Sequence, residues 1–169
     1  WIGSAARSYV AHAMDVIKIN FLAAKAGYSL IGMFEDDIVP LGTLDAVQHR
    51  LQAAIGELPK TADMLYLEYC FESCNILCYS DLSAHIARAR SPKCSAAILF
   101  TAKGSRRVAA LAKPIFTAID NMFPALIERG LLEAYVMTPP IFAQDTFWGT
   151  SVPRHEHSTA ILYKAKHRP

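Results

Sequence analysis

Short apolar runs, separated by segments whose apolar residues recur at helical spacing, set the fold class. Ser29–Phe34 (SLIGMF), Asp63–Tyr69 (DMLYLEY), Ser95–Thr101 (SAAILFT) and Glu133–Met137 (EAYVM) read as buried strands. Ser4–Ala26 reads as a helix with Val10, Met14, Ile17, Phe21 and Leu22 at helical spacing, and Gly27 ends it. Thr43 is placed to cap a second helix over Leu44–Ile55, with Leu44, Val47, Leu51 and Ile55 on one face. Lys103–Leu111 and Ile119–Arg129 complete the helices, the last closed by Gly130. Cys70–Pro92 is less regular. The alternation predicts an α/β domain with a mostly parallel sheet flanked by helices. That domain covers residues 1–150, and a polar, basic tail over 151–169 reads as a loop.

Composition narrows the function classes. Of 169 residues, 53% are hydrophobic and 19% charged, which excludes a disordered chain. A net charge of +2 is too mild to argue for nucleic acid or an anionic membrane. Mean hydropathy is high at +0.20. No apolar run reaches the roughly 18 residues that span a bilayer, so the surplus belongs to the core or to a surface that meets a partner.

Glu35-Asp36-Asp37 is the most informative site. Three adjacent carboxylates follow an apolar strand directly, and Ile38-Val39-Pro40 follows them. In open α/β sheets ligands bind outside the carboxyl ends of strands. Crowded carboxylates repel each other, and a hard divalent cation such as Mn²⁺ or Mg²⁺ compensates. The alternative is a solvated acidic loop whose aspartates cap the next helix.

The stretch Phe34-Glu35-Asp36-Asp37-Ile38-Val39-Pro40 resembles the acidic signature of the lipooligosaccharide and collagen galactosyltransferase family. Further segments fall in that family's order. The helix carrying His12 is similar to the helix before the signature, with Ala11 in place of the family's serine. Asp63-Met-Leu-Tyr-Leu-Glu, Cys94–Thr101 with Lys103-Gly104, Ala118-Ile119-Asp120, and Thr138-Pro139-Pro140-Ile141-Phe142-Ala143-Gln144 resemble later motifs. The likeness runs from about Ser8 to Ser151. It implies a GT-A (Rossmann-like) fold and an inverting, metal-dependent transfer of a sugar from a nucleoside-diphosphate donor to a hydroxyl of a carbohydrate or glycoconjugate acceptor.

By that resemblance Asp37 is the direct metal ligand. Glu35 contributes to the metal, and Glu35 and Asp36 reach the nucleotide through water, ribose or a basic side chain. Gln144 belongs to the same donor-binding set. The acceptor hydroxyl needs a base, for which Asp or Glu is usual. Asp120 is the first candidate and Asp145 the second. Asp120 fits equally as the N-cap of the following helix, and Asp145 as a turn residue. His155 and His157 form an H-x-H pair, with His157 the candidate further metal ligand. An exposed basic tail is the competing reading. His12 reads as a packed helix residue. Arg106 and Arg107 suit either a phosphate or a solvated helix face, and Phe147 and Trp148 either a sugar ring or the core.

Cys70, Cys74, Cys78 and Cys94 are the cysteines, and sequence cannot choose among three connectivities. At least one disulfide implies an oxidising lumen such as the Golgi; free buried thiols imply the opposite. About one helix precedes Glu35, where GT-A domains carry a nucleotide-binding strand. The sequence therefore reads as a domain lacking its N-terminal front. The front lies before Trp1, comes from a partner, or was lost together with catalysis. The last reading makes the chain a non-catalytic, glycosyltransferase-like subunit of a larger complex.

Overall fold

A computed structural model of the chain describes residues 4–70, 72 and 83–145. Among these residues four helices, α1 (Ser4–Ala26), α2 (Leu44–Glu57), α3 (Ala102–Leu111) and α4 (Ile119–Glu128), accompany seven strands. The strands are β1 (Leu30–Phe34), β2 (Ile38–Pro40), β3 (Met64–Tyr66), β4 (Ile86–Arg88), β5 (Ala97–Thr101), β6 (Ala134–Met137) and β7 (Phe142–Gln144). All four predicted helices and all four predicted strands form. The short β2, β4 and β7 are additional, because three residues give no readable period. The tail over 151–169 lies outside the described residues.

The main sheet has the order β1-β5-β3-β6-β4. Its pairing corrects the expected mostly parallel sheet. Only β3 and β6 are parallel; β1–β5, β3–β5 and β4–β6 are antiparallel. Helices cover both faces, so antiparallel strands here carry the continuous apolar runs expected of parallel ones. The end of β3 adjoins the start of β5, and a disulfide joins Cys70, just past β3, to Cys94, just before β5, with Cα atoms 5.6 Å apart. The ladder extends beyond β3, with Leu67 N–H donating to Ala97 C=O at 2.9 Å.

Both faces of the sheet are covered. Alternate residues of β3, β5 and β6 (Met64, Tyr66, Ile98, Phe100, Ala134, Val136) meet α1, α3 and α4 through Ala13, Val16, Val108, Met122 and Phe123. The intervening residues (Leu65, Leu67, Ala97, Leu99, Tyr135, Met137) pack with Val47 and Ala54 of α2. The apolar runs are nearly continuous because each strand is buried on both sides.

The buried stripe of α1 differs from the expected one. Ala13, Val16, Ile17, Asn20 and Ala23 face the core, while Met14, Phe21 and Leu22 are each more than half exposed. Small alanines let α1 lie close to the layer beneath it. Asn20 is half satisfied there: its Nδ2 donates to Val16 C=O at 3.0 Å, and its Oδ1 has no partner.

Asp63 pins the far end of the sheet from the carboxylate motif. It is fully buried, accepting from Glu133 N–H at 2.8 Å and from Arg107 Nη1 at 3.1 Å, with Lys103 Nζ 3.2 Å from its other oxygen. Thr101 caps α3 through Gly104 N–H. A Cβ on Gly104 would lie 1.7 Å from the Asp63 carbonyl oxygen, so only glycine fits. Arg107 is thereby a structural cation, and Arg106 is exposed on α3.

Candidate functional site: a carboxylate cluster at the strand ends

β1 and β3 run the same way, since each is antiparallel to β5. Their carboxyl ends therefore lie together, beside the start of β5. Glu35 follows β1 and is anchored by its N–H to Ala96 C=O at 2.8 Å. Asp36 and Asp37 form the turn into β2. Glu68 follows β3. Asp120 sits in the first turn of α4 and accepts a hydrogen bond from Ser95 Oγ.

Gln144 joins this group through the small β2–β7 ribbon. Ile38 is paired with Gln144, and Asp145 N–H donates to Asp37 C=O. That pairing brings Gln144 Nε2 to 3.3 Å from Glu35 Oε2 and 3.5 Å from Asp37 Oδ2. The ribbon is held to the sheet by Ile141 N–H on Leu67 C=O, and by Arg50, which donates to Pro139 and Pro140 carbonyls.

The electrostatics follow from crowding. Burial raises the Glu35 carboxyl above its ordinary range; His12 opposes this, and Asp120, Asp37 and Asp36 add to it. His12 Nε2 lies 3.7 Å from Glu35 Oε1. Burial pushes Glu68 up to about 8, opposed by the Ala96 amide and reinforced by Glu35, Asp120 and Asp37. Asp37 Oδ1 and Glu68 Oε2 are buried without a hydrogen-bond partner. A group of acids that repel one another while buried oxygens go unpaired has the chemistry of a cation or proton site.

Among the expected site residues, Glu35, Asp37 and Gln144 are in direct contact, and Asp120 shares their field. Asp36 is exposed. Asp145 is half-buried and tied by its backbone to Asp37. Asp120 is not the N-cap: Ala118 holds that position, without a side-chain bond, because the helix starts two residues earlier than the cap reading requires. His155, His157, Phe147, Trp148, Cys74 and Cys78 lie outside the described residues.

Three members were missed or misread in the sequence. His12 contacts Glu35, where a packed helix residue was expected. Glu68 was absorbed into a strand, although an acid at the end of an apolar run was its signal. Ser95 carried none. The apolar groove lined by Ile19, Leu22, Ala23, Ala26, Tyr28, Ile31 and Gly32 flanks α1 and β1 rather than the acids.

The fold and site thus define a mixed α/β domain with a carboxylate cluster at its strand ends. No protein-family model matches the sequence, and a search of curated proteins finds no significant relative.

Proposed function

We propose that this domain is a metal-dependent glycosyltransferase, moving a sugar from a nucleoside-diphosphate donor to a hydroxyl acceptor with inversion. One observation carries the reading. Glu35 and Asp37, bridged by Gln144, lie at the carboxyl end of β1, with Asp37 Oδ1 buried and unpartnered. The donors there are carboxylate oxygens, which suit Mn²⁺ or Mg²⁺. Asp37 and Glu35 would hold the ion, which supplies charge neutralisation for the departing diphosphate. Gln144 orients both carboxylates. Asp120 is the base: Ser95 occupies Oδ1, which leaves Oδ2 to take the proton of the acceptor hydroxyl as it attacks the sugar carbon. Asp145, beside Asp37, is the second candidate for that proton.

The Cys70–Cys94 disulfide is compatible with an oxidising compartment and supports a secretory or Golgi lumen. No helix among the described residues is long and apolar enough to cross a membrane.

Calorimetry on the chain, together with any residues that precede Trp1 in its gene, tests the reading. Nucleoside diphosphate should bind only with Mn²⁺, and Asp37→Ala should abolish that binding. Asp120→Asn should keep binding and lose transfer. Absence of Mn²⁺-dependent nucleotide affinity sinks the proposal.

A second reading, a non-catalytic subunit, has its own support. Met14, Phe21, Leu22 and Tyr28 are exposed on and after α1, beside β1, which is the sheet's edge strand. It predicts a stable complex with other chains that Asp37→Ala leaves intact.

A further inference from the structure

The junction of β3 and β5 carries a second donor set, of softer chemistry. One oxygen of Glu68 and the sulfurs of Cys70 and Cys94 all lie within 4.8 Å of one another. Glu68 is 3% exposed and its Oε2 has no partner. Cys70 is exposed and Cys94 half-buried. Cys70 Sγ is 3.7 Å from Glu68 Oε1 and 3.7 Å from Gln144 Oε1. A disulfide sulfur has no proton to donate, so in the oxidised protein neither contact is a hydrogen bond. The Glu68 oxygen nearer Cys70 receives no proton from the sulfur, and the other carboxyl oxygen is buried without a partner.

We infer that reduction of the Cys70–Cys94 disulfide opens a Zn²⁺ site whose ligands are the two cysteine sulfurs and the Glu68 carboxylate. Gln144 Oε1 or a water completes the tetrahedron. A dithiol reductant supplies the two electrons: its two thiols become a disulfide, and the protein disulfide becomes two thiols. Zn²⁺ then displaces both thiol protons and any proton on Glu68. Two thiolates and one carboxylate match Zn²⁺, whereas the hard ions suited to Glu35 and Asp37 prefer oxygen alone. The thiolates must stand about 3.8 Å apart around bonds of about 2.3 Å. Side-chain rotation from Cα atoms 5.6 Å apart supplies that spacing. The neighbouring charges favour the ion as well. Glu35, Asp37 and Asp120 surround Glu68 with negative field, and a divalent cation offsets it. The oxidised state excludes the ion, since a disulfide offers no thiolate. This inference stands without the glycosyltransferase reading.

The test uses the full chain carrying Cys74→Ser and Cys78→Ser, oxidised or reduced with a dithiol that is then removed. Zn²⁺ uptake is measured by competition with a chromophoric chelator. Co²⁺ serves as the spectroscopic probe through its thiolate charge-transfer band. The reduced chain should take up one Zn²⁺ and the oxidised chain none. Glu68→Gln should weaken Zn²⁺ about tenfold to hundredfold, as loss of a supporting ligand does, and keep the Co²⁺–thiolate band. Cys94→Ser should remove the band. Equal uptake by the oxidised chain, or uptake indifferent to both substitutions, overturns the site. If reduction unfolds the chain, Zn²⁺ should restore its near-ultraviolet circular dichroism, and failure to do so also overturns it.

Discussion

Gln144 Nε2 lies 3.3 Å from Glu35 Oε2 and 3.5 Å from Asp37 Oδ2, more than a hundred residues away along the chain. One amide thus bridges two carboxylates that would otherwise only repel. Gln144→Leu removes the bridge and leaves two half-buried acceptors unpaired. The expected loss is about 1–3 kcal/mol of stability, read as a lower midpoint in thermal unfolding. Mn²⁺ should recover part of that loss if a cation can stand where the amide stood.

Gly104 is a sharper structural test. Its added Cβ would meet the Asp63 carbonyl oxygen at 1.7 Å, and both partners are backbone. No rotamer relieves that clash. Gly104→Ala should cost more than about 3 kcal/mol, beyond ordinary overpacking. The measurement is a denaturant midpoint, and wild-type stability would refute the close approach of α3 to β3.

The Cys70–Cys94 bond closes a loop with a sequence separation of 24. Chain entropy alone assigns such a closure about 3.5 kcal/mol. Cys70→Ser with Cys94→Ser should lower stability by about that amount. The strand order should survive, because Met64–Tyr66 and Ile98–Phe100 stay paired through the ladder. Backbone amide exchange reads this: β3 and β5 should remain the slowest strands.

Much of the architecture was legible because local rules governed it. Thr43 caps α2 through Ala46 N–H as its position before an apolar repeat implied, and Gly27 and Gly130 take positive φ at helix ends. Strand direction was not legible. It depends on which strands pair across the sheet, and with helices on both faces the apolar runs read the same for either direction. The α1 stripe was misread because hydrophobicity was weighed above size: Ala13 and Ala23 are buried, and Met14 and Phe21 are not. Glu35, Asp37 and Gln144 could be named from motif resemblance. That His12 and Glu68 stand beside them is a consequence of tertiary packing, which no one-dimensional period encodes.

Ser95 and Asp120 offer a test of the proposed base. Ser95 Oγ donates to Asp120 Oδ1, and Ser95 is 2% exposed. Ser95→Ala removes that donor and leaves the carboxylate free to rotate. Transfer should slow by about tenfold to hundredfold, of the order expected when a proton-transfer group loses alignment. A merely structural Ser95 would lower stability without slowing transfer by the folded chain.

The pH dependence of folding has a defined sign at Glu68. Its folded pKa stands at about 8, above the ordinary 4.5, chiefly through burial. Between those values the folded chain keeps a proton that the unfolded chain has lost. Stability from this group is therefore whole below pH 4.5 and declines as pH rises through 8, by at most about 5 kcal/mol. Glu57 acts the other way. Its carboxyl is held below the ordinary value first by the Ser83 hydroxyl and further by His85, against a smaller effect of burial. Its contribution is present above pH 4.5 and is lost on acidification. The two together predict a stability maximum on the mildly acidic side of neutrality. Glu68→Gln should flatten the alkaline decline in urea midpoints measured from about pH 3 to 9 and leave the acid limb unchanged. An undiminished alkaline decline in that variant would assign it to another group.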